Sequence, residues 1–369
     1  MITDLRARLK AVADKPQKPE TAATCEVIEA AMPAPAGLWD VTETHLRRLG
    51  FNAPWDVKRA LFLDTETTGL RGAGTVAFLV GVGWLSGDQF IVRQYLMRDY
   101  PEEADLLAQL AALLKGFDCI ISFNGKSFDV PLLADRFTMQ RLRVDFARFA
   151  QLDLLHAARR TWRLRLGSCT LGRVEELVLG IPRDHDLPGA EVPERYFRFL
   201  KTGDRALLDD ILAHNLQDVR TLALLLLHLA QVYASPDAQQ SMLDVFSAGR
   251  ALERYGECAL ARRCFQVASV SELSRQARFA LAQSYRKQQD FSRAAEVYRG
   301  LIARGEGGAD AHTALAVLLE HRLNDAPGAL LVTERALLRF AGLDQEAVAD
   351  LEKRRLRLKR KIYRSGGNN

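Results

Sequence analysis

The sequence contains few cysteines and no long apolar segment. Its five cysteines form no CxxC pair and no zinc-binding spacing, so neither a disulfide framework nor a zinc site is expected. No apolar run approaches the roughly 18 residues that a membrane span requires. The first residues lack the apolar stretch of a secretory signal. We therefore expect a cytoplasmic protein with reduced thiols and no membrane partner.

Positive charge is concentrated in the C-terminal third of the 369 residues. The net charge is +5, yet residues 240–369 alone hold 22 Lys and Arg against 15 Asp and Glu. The most basic stretch is 353–361, KRRLRLKRK. Such a tail fits attraction to a polyanion, and it fits a solvated terminal helix equally well.

Composition and hydrophobic pattern divide the chain into three regions. Residues 1–56 predict an N-terminal extension and linker, because the stretch 32–37 is rich in Pro and Ala. Residues 57–232 combine strand and helix patterns, whereas residues 240–369 show helical patterns and include the basic tail.

The middle region predicts an α/β fold in which a mixed sheet is flanked by helices. Apolar runs predict four strands, at 60–63, 75–84, 90–96 and 119–123. A helix that Pro101 opens lies between the third and fourth of them. Further helical patterns lie near 129–139, 152–166, 170–179 and 204–230.

The C-terminal region repeats with a period of about 34 residues, which is typical of tetratricopeptide helix pairs. The first copy is marked by Gly249, Leu252, Ala261 and Phe265. The next two copies carry Ala282, Tyr285, Ala294 and Tyr298, then Ala316, Leu319, Ala329 and Thr333. We expect an all-α tetratricopeptide-like domain that can take a protein partner.

Four carboxylates and one histidine are the candidate catalytic residues. Asp64 and Glu66 end the first predicted strand of the middle region, and alternation places them on one face. Asp129 follows an Asn-Gly turn at the start of a helix, where a helix cap is the alternative role. His214 and Asp218 share one face of a leucine-rich helix, and a surface ion pair is the alternative there.

Carboxylates brought together in this way repel one another unless cations neutralise them. Hard divalent ions prefer such oxygen ligands, so Asp64, Glu66, Asp129 and Asp218 predict a site for two Mg²⁺ or Mn²⁺ ions. A pair of ions about 4 Å apart can activate water and clamp a phosphodiester. His214 could then orient or deprotonate the attacking water.

Three segments resemble the exonuclease motifs of the DEDD superfamily: FLDTETTGL at 62–70, FNGKSFD at 123–129, and His214-Asn215 followed by Asp218-Val219. The segment PGAEVP at 188–193, with Tyr196 and Thr202-Gly203-Asp204, is similar to the YprB-type branch of the ribonuclease-H-like proteins. The resemblance covers roughly residues 58–230. It implies a ribonuclease-H-like core, two-metal hydrolysis of nucleic acid, and 3′→5′ exonuclease activity as the usual outcome.

His214 departs from that pattern. The superfamily has either a Tyr four residues before the last Asp or a His five residues before it, whereas here the His stands four before Asp218. One residue rotates a side chain by about 100° around a helix. Whether His214 abstracts a proton or only positions water is therefore open.

Four basic residues are candidates for binding the nucleic acid. Lys126 lies within the second motif, and Arg159, Arg160 and Arg163, together with Arg165, surround Trp162. Arginines beside an aromatic ring suit phosphate binding with base stacking. The alternatives are an exposed turn lysine and a solvated helix face with a core tryptophan. The stretch 183–186, Arg-Asp-His-Asp, is a weaker metal candidate in a Pro/Gly loop.

The sequence thus predicts a metal-dependent nuclease domain joined to a tetratricopeptide-like domain, with nucleic acid as the partner. A 3′→5′ exonuclease is the leading hypothesis. The alternatives are a structure-selective endonuclease on the same fold and a non-catalytic nucleic-acid-binding or scaffold protein that acts through its repeats. Whether the substrate is DNA or RNA, single or double stranded, is not determined by the sequence.

Overall fold

The computed structural model describes residues 23–69, 74–182, 187–340 and 345–366. These residues belong to two compact units, each assembled from separate parts of the chain. The first unit comprises the described residues of Met1–Trp39, Trp55–Leu154 and Ile181–Leu225. The second comprises those of Asp40–Pro54, Leu155–Gly180 and Leu226–Asn369. The domain boundaries expected from the sequence remain a prediction.

The first unit contains a mixed sheet with strand order β1-β4-β3-β2-β5-β6. The strands are β1 (Glu26–Pro33), β2 (Ala60–Thr67), β3 (Ala77–Ser86), β4 (Gln89–Leu96), β5 (Cys119–Ser122) and β6 (Ala150–Asp153). Strands β1 to β4 pair antiparallel, whereas β2, β5 and β6 run parallel to one another. The predicted mixed sheet is therefore confirmed.

Two strands do not follow from the hydrophobic pattern. Strand β1 lies within the predicted N-terminal extension and pairs with β4 along its length. Its side chains alternate between half-buried and exposed, which leaves little apolar signal. Strand β6 has only four residues and directly precedes a helix, so the sequence pattern merges the two.

The α-helices are, in chain order, α1 (Glu43–Arg48), α2 (Glu103–Leu114), α3 (Asp129–Met139), α4 (Leu154–Leu166), α5 (Leu171–Val174), α6 (Val192–Thr202), α7 (Ala206–Ala234), α8 (Met242–Arg254), α9 (Cys258–Ala268), α10 (Ser274–Lys287), α11 (Phe291–Ala303), α12 (Ala309–His321), α13 (Ala326–Phe340) and α14 (Gln345–Gly366). A π-helix, Glu175–Leu179, extends α5. No helix in the described ranges is long and apolar enough to cross a membrane.

Helix α6 is fixed to the sheet by one buried tyrosine. The Tyr196 ring stacks on Phe78 of β3, with the ring centroids 3.9 Å apart. Its hydroxyl donates a hydrogen bond of 2.9 Å to the carbonyl oxygen of Met97. A buried hydroxyl without a hydrogen-bond partner would destabilise the fold, so this bond allows the whole Tyr196 side chain to be buried in the core.

Helix α7 packs on β3 where that strand has no side chains. A Cβ added to Gly81 would lie 2.1 Å from Asn215 Oδ1, and one added to Gly83 would lie 2.7 Å from Val219 Cγ1. Glycine in a strand often marks such a close approach. The two glycines therefore set the height of α7 above the sheet, and with it the position of the residues around Asn215.

The helical region of the second unit fits repeats. Helices α8 to α13 pack against one another as three successive pairs, and the residues at the repeated positions are largely buried. Gly249 shows why a small residue is needed there: an added Cβ would lie 2.8 Å from Cys264 Cβ and 2.9 Å from the Phe265 ring. The helical C-terminal part expected from the sequence is confirmed.

The basic tail forms α14, and part of its charge is neutralised within the second unit. Glu320 of α12 is only 2% exposed. It accepts hydrogen bonds from Arg354 Nη1 at 3.0 Å and from Arg357 Nη2 at 2.6 Å. Leu351 and Leu358 of the same helix are buried. Helix α14 is therefore a packed element of the fold, and Arg354 and Arg357 have a structural role.

Candidate active site

Two of the predicted site residues end strand β2. Asp64 pairs across to Gly81 of β3 and Glu66 to Leu79, so both residues project on the same side of the sheet. The register shifts between Glu66 and Thr67, which ends the regular pairing directly after the two carboxylates. Bulges at such positions re-aim side chains and are common beside active sites.

Asp129 reaches the site from the first turn of α3. The turn after β5 contains Asn124 with φ of 70° and Gly125. A Cβ on Gly125 would lie 3.0 Å from Asp129 Oδ2, so the glycine permits the close approach of the carboxylate. Thr65 Oγ1 donates a hydrogen bond to Asp129 Oδ1 and connects β2 directly to α3.

A further carboxylate, Asp153, lies at the end of β6 and is missing from the sequence prediction. Its Oδ1 accepts a 2.8 Å hydrogen bond from the backbone N–H of Asn124, and its charge acts on Asp129. Its sequence signal is an Asp directly after Ala-Gln-Leu, and the pattern of the adjoining helix obscures it.

His214 and Asp218 face each other one turn apart on α7, as predicted. His214 Nε2 is 3.3 Å from Asp218 Oδ2 and 4.0 Å from Glu66 Oε1. All three side chains are at most 16% exposed. The imidazole thus lies within reach of carboxylates from two different elements, so the four-residue spacing does direct His214 into the site.

Asn215 is a site residue whose role the sequence does not reveal. Its Nδ2 donates a 2.8 Å hydrogen bond to Asp64 Oδ2, and its Oδ1 accepts one of 2.9 Å from Gln94 Nε2. Gln94 also donates to the carbonyl oxygen of Leu212. This chain of bonds fixes which end of the Asn215 amide faces Asp64.

The carboxylates strongly affect one another. Burial raises the pKa of Asp64 well above its ordinary value, and the charges of Asp218, Glu66 and Asp129 raise it further, while the Asn215 bond lowers it. Burial also raises the pKa of Asp129, to about 6, against the hydrogen bond from Thr65. Strongly raised carboxylate pKa values in one cluster are typical of functional sites.

The chemistry of these donors suits hard divalent cations, which prefer carboxylate oxygens. A nearby cation would also relieve the repulsion that raises the pKa of Asp64. Among the described residues, however, no group of three or more His, Cys, Asp and Glu side chains is close enough together to form a metal-binding cluster. Asp64, Glu66, Asp129 and Asp218 are therefore candidate ligands through their donor chemistry and their shared location.

The predicted nucleic-acid contacts lie in different units. Lys126 belongs to the first unit and is exposed in the turn before Asp129. Arg159, Arg160 and Arg163 lie on α4 in the second unit. Trp162 is buried against His228, with ring centroids 5.8 Å apart, so it is not available to stack on a base. The metal candidate at 183–186 falls outside the described residues.

Comparison with known proteins supports the nuclease-type fold. A family model described as the RNase H superfamily matches residues 61–230. The chain is also 32% identical over 310 residues to the "Uncharacterized protein YprB" of Bacillus subtilis (strain 168), covering 81% of this chain and 74% of that protein. The chain therefore belongs to the family of YprB, and its residues 61–230 form a domain of the RNase H superfamily.

Among solved structures, the chain is similar to the family B DNA polymerase from the hyperthermophilic archaeon Pyrobaculum calidifontis. The TM-score is 0.37 and the sequence identity 18%. The similarity covers 64% of this chain and 30% of the polymerase, so it spans less than a third of that protein's length. Membership of the RNase H superfamily supports a nucleic-acid hydrolase in general terms.

Proposed function

We propose that the protein is a divalent-metal-dependent nuclease that hydrolyses nucleic-acid phosphodiesters with 3′→5′ exonuclease polarity. The observation that carries the proposal is the convergence of Asp64, Glu66, Asp129 and Asp218 from three separate elements, with His214 between Glu66 and Asp218. The negative charges of Asp218, Glu66 and Asp129 raise the pKa of Asp64, which means that the ionised carboxylates repel one another. Their proximity therefore does not stabilise the fold, and it is explained by a function.

Asp64, Glu66, Asp129 and Asp218 would hold Mg²⁺ or Mn²⁺ through their carboxylate oxygens. Two such ions, when bound, supply an activated water and charge stabilisation for the leaving oxygen. Asn215 holds the Asp64 carboxylate in one orientation, and Gln94 holds Asn215. His214 Nε2 faces the carboxylates, where it orients the attacking water.

Incubation of the purified protein with Mn²⁺ and end-labelled DNA and RNA oligonucleotides tests the proposal. We expect stepwise shortening from the 3′ end, no hydrolysis by Asp64→Asn, and normal hydrolysis by Asp88→Asn. Asp88 is an exposed acidic residue in the β3–β4 turn of the same unit and serves as the matched control. Hydrolysis by Asp64→Asn at the parent rate would contradict the assignment of the site.

A second substrate with a blocked 3′ end distinguishes the rival activities. An exonuclease stops at the block, whereas a structure-selective endonuclease cuts beyond it. A protein that binds these oligonucleotides but cleaves none of them, with either metal ion, would be a non-catalytic binding or scaffold protein.

A further inference from the structure

The second unit contains a pocket between α4 and α8 whose walls are rich in arginine. The pocket has a volume of about 450 Å³. The arginines that line it are Arg159, Arg160 and Arg163 of α4 and Arg250 and Arg254 of α8. Only the α4 residues were suspected from the sequence. The contribution of α8 comes from the fold, which brings the first helix of the repeat region against α4.

The arrangement is unfavourable without an anion. Arg159 and Arg163 are four residues apart on one helix, and so are Arg250 and Arg254 on the other. Like charges at this spacing repel each other and destabilise a helix. Across the described ranges, no acidic side chain forms an ion pair with any of these four arginines.

The neighbouring Arg165 shows that the same two helices do pair charges elsewhere. Its Nε donates to both carboxylate oxygens of Asp244 on α8, at 3.0 and 2.8 Å. An acidic partner for α4 therefore exists on α8, yet it serves Arg165 and is not directed to the pocket. Positive charge without an acidic partner therefore lines the pocket wall.

Arg160 is held in place by contacts within the second unit. Its Nη2 donates a 2.5 Å hydrogen bond to the carbonyl oxygen of Leu49, and its guanidinium lies over the Tyr255 ring, 5.4 Å from the centroid. The Tyr255 hydroxyl in turn occupies the space beside Gly50, where an added Cβ would be 2.3 Å away. A fixed guanidinium loses little entropy when it binds an anion.

The basic surface continues beyond this pocket. Arg159 and Arg163 also line a second cavity, of about 310 Å³, together with Ser168 and Thr170. Hydroxyls and guanidinium groups are common donors to phosphate oxygens. Two adjoining cavities that share Arg159 and Arg163 offer more than one place for an anion, which suits a chain of phosphates better than a single one. We call this surface the arginine groove.

We propose that the arginine groove binds the sugar–phosphate backbone of a nucleic-acid strand. This inference rests on the proposed function, because it supplies a substrate-binding surface in the unit that lacks the carboxylates. None of the described residues lining the two cavities is aromatic. Binding is therefore through phosphates and independent of base sequence, because base stacking would need aromatic side chains.

The test measures binding of labelled single-stranded DNA and RNA to full-length protein carrying Asp64→Asn, so that no hydrolysis occurs. The variant Arg163→Gln/Arg250→Gln is compared with Arg299→Gln, which removes an exposed arginine of α11 in the same unit. We expect the double variant to bind about tenfold more weakly, and the slope of log affinity against log salt to fall by about 0.7–0.9 for each lost phosphate contact. Arg299→Gln should match the parent.

Affinity and salt slope equal to those of Arg299→Gln would overturn the proposal, provided that thermal melting shows all variants folded. The proposal would also be overturned if polyglutamate displaced the labelled oligonucleotide as effectively as unlabelled oligonucleotide does, because the groove would then suit an acidic polypeptide. Hydrolysis of a dinucleotide by the parent reports the active site separately. If the parent hydrolyses the dinucleotide but binding does not depend on the arginines, only the proposal for the arginine groove is refuted. If binding depends on the arginines but no hydrolysis occurs, only the proposed nuclease activity is refuted.

Discussion

Asn215 Nδ2 donates a 2.8 Å hydrogen bond to Asp64 Oδ2, so a neutral amide supports the carboxylate on which the other charges of the site converge. Of the interactions that act on Asp64, burial and three neighbouring carboxylates favour the protonated form, whereas the bond from Asn215 favours the ionised one. Asn215 neither carries a charge nor transfers a proton, yet it helps to set the protonation state of Asp64.

Replacing Asn215 with Ala should raise the pKa of Asp64 further and move the acidic limb of the pH–rate profile to higher pH. A hydrogen bond to a charged group contributes about 1.5–3 kcal/mol, so we expect a rate loss of roughly ten- to a hundredfold below neutrality. The loss should shrink as pH rises, because Asp64 then ionises without help. Asp209→Ala, at an exposed position on the same helix, is the control, and an unshifted profile in Asn215→Ala would contradict the prediction.

Asp129 predicts a pH dependence of stability in the presence of a chelator. Its pKa is raised from 3.8 to about 6 in the folded protein. Between these values the folded chain keeps a proton that the unfolded chain has released, so the free energy of unfolding falls as pH rises through this window. The effect is on the order of 3 kcal/mol.

Urea denaturation at several pH values, with and without Asp129→Asn, measures this dependence. The variant should show a flatter curve, whereas Asp135→Asn, at an exposed position on α3, should follow the parent. If Asp129→Asn and the parent lose stability in parallel as pH rises, the proton is held elsewhere.

For His214 we expect positioning of water and not proton abstraction. His214→Tyr should then retain substantial activity, because a tyrosine four residues before Asp218 presents a hydroxyl on the same face of α7. A general base would cost about 10²–10⁴-fold in rate when replaced by Tyr. Rates against pH for the parent, His214→Tyr and His214→Ala decide between the roles, and an Ala variant as fast as the parent would leave His214 with neither.

Removing the partners of Glu320 should destabilise the second unit. In Arg354→Ala/Arg357→Ala, a carboxylate that is 2% exposed loses both guanidinium partners. Breaking a buried ion pair by removing one side typically costs about 3–5 kcal/mol. Arg360→Ala/Arg364→Ala removes the same charge from exposed positions of α14 and should leave the unfolding midpoint nearly unchanged. Equal losses in the two double variants would contradict the prediction, because the loss would then come from removing charge on α14 and not from the pairing with Glu320.

Local patterns in the sequence are sufficient to predict much of this site. The apolar run before Asp64 predicts β2, the turn before Asp129 predicts the start of α3, and the spacing of His214 and Asp218 predicts their common face. Each of these features depends on residues close together in the chain, where strand and helix periods apply directly.

What the sequence does not reveal depends on contacts between distant segments. Asp153 becomes part of the site only because β6 pairs parallel to β5, and a four-residue strand has too short a pattern to detect. The arginine groove likewise requires α8 to pack beside α4. Strand β1 is recognisable only from its pairing with β4, since half of its side chains are exposed.

Gly81 has a consequence for how this family can vary. An alanine at this position would place a carbon atom 2.1 Å from Asn215 Oδ1, so the amide could no longer lie where it supports Asp64. A relative that carries a side chain at position 81 must therefore hold residue 215 in another position or have a smaller residue there, and the carboxylate at position 64 must ionise without the bond from an amide at position 215. Positions 81 and 215 should therefore change together among relatives. A relative with Ala in place of Gly81 should also differ in the pH at which its activity is greatest.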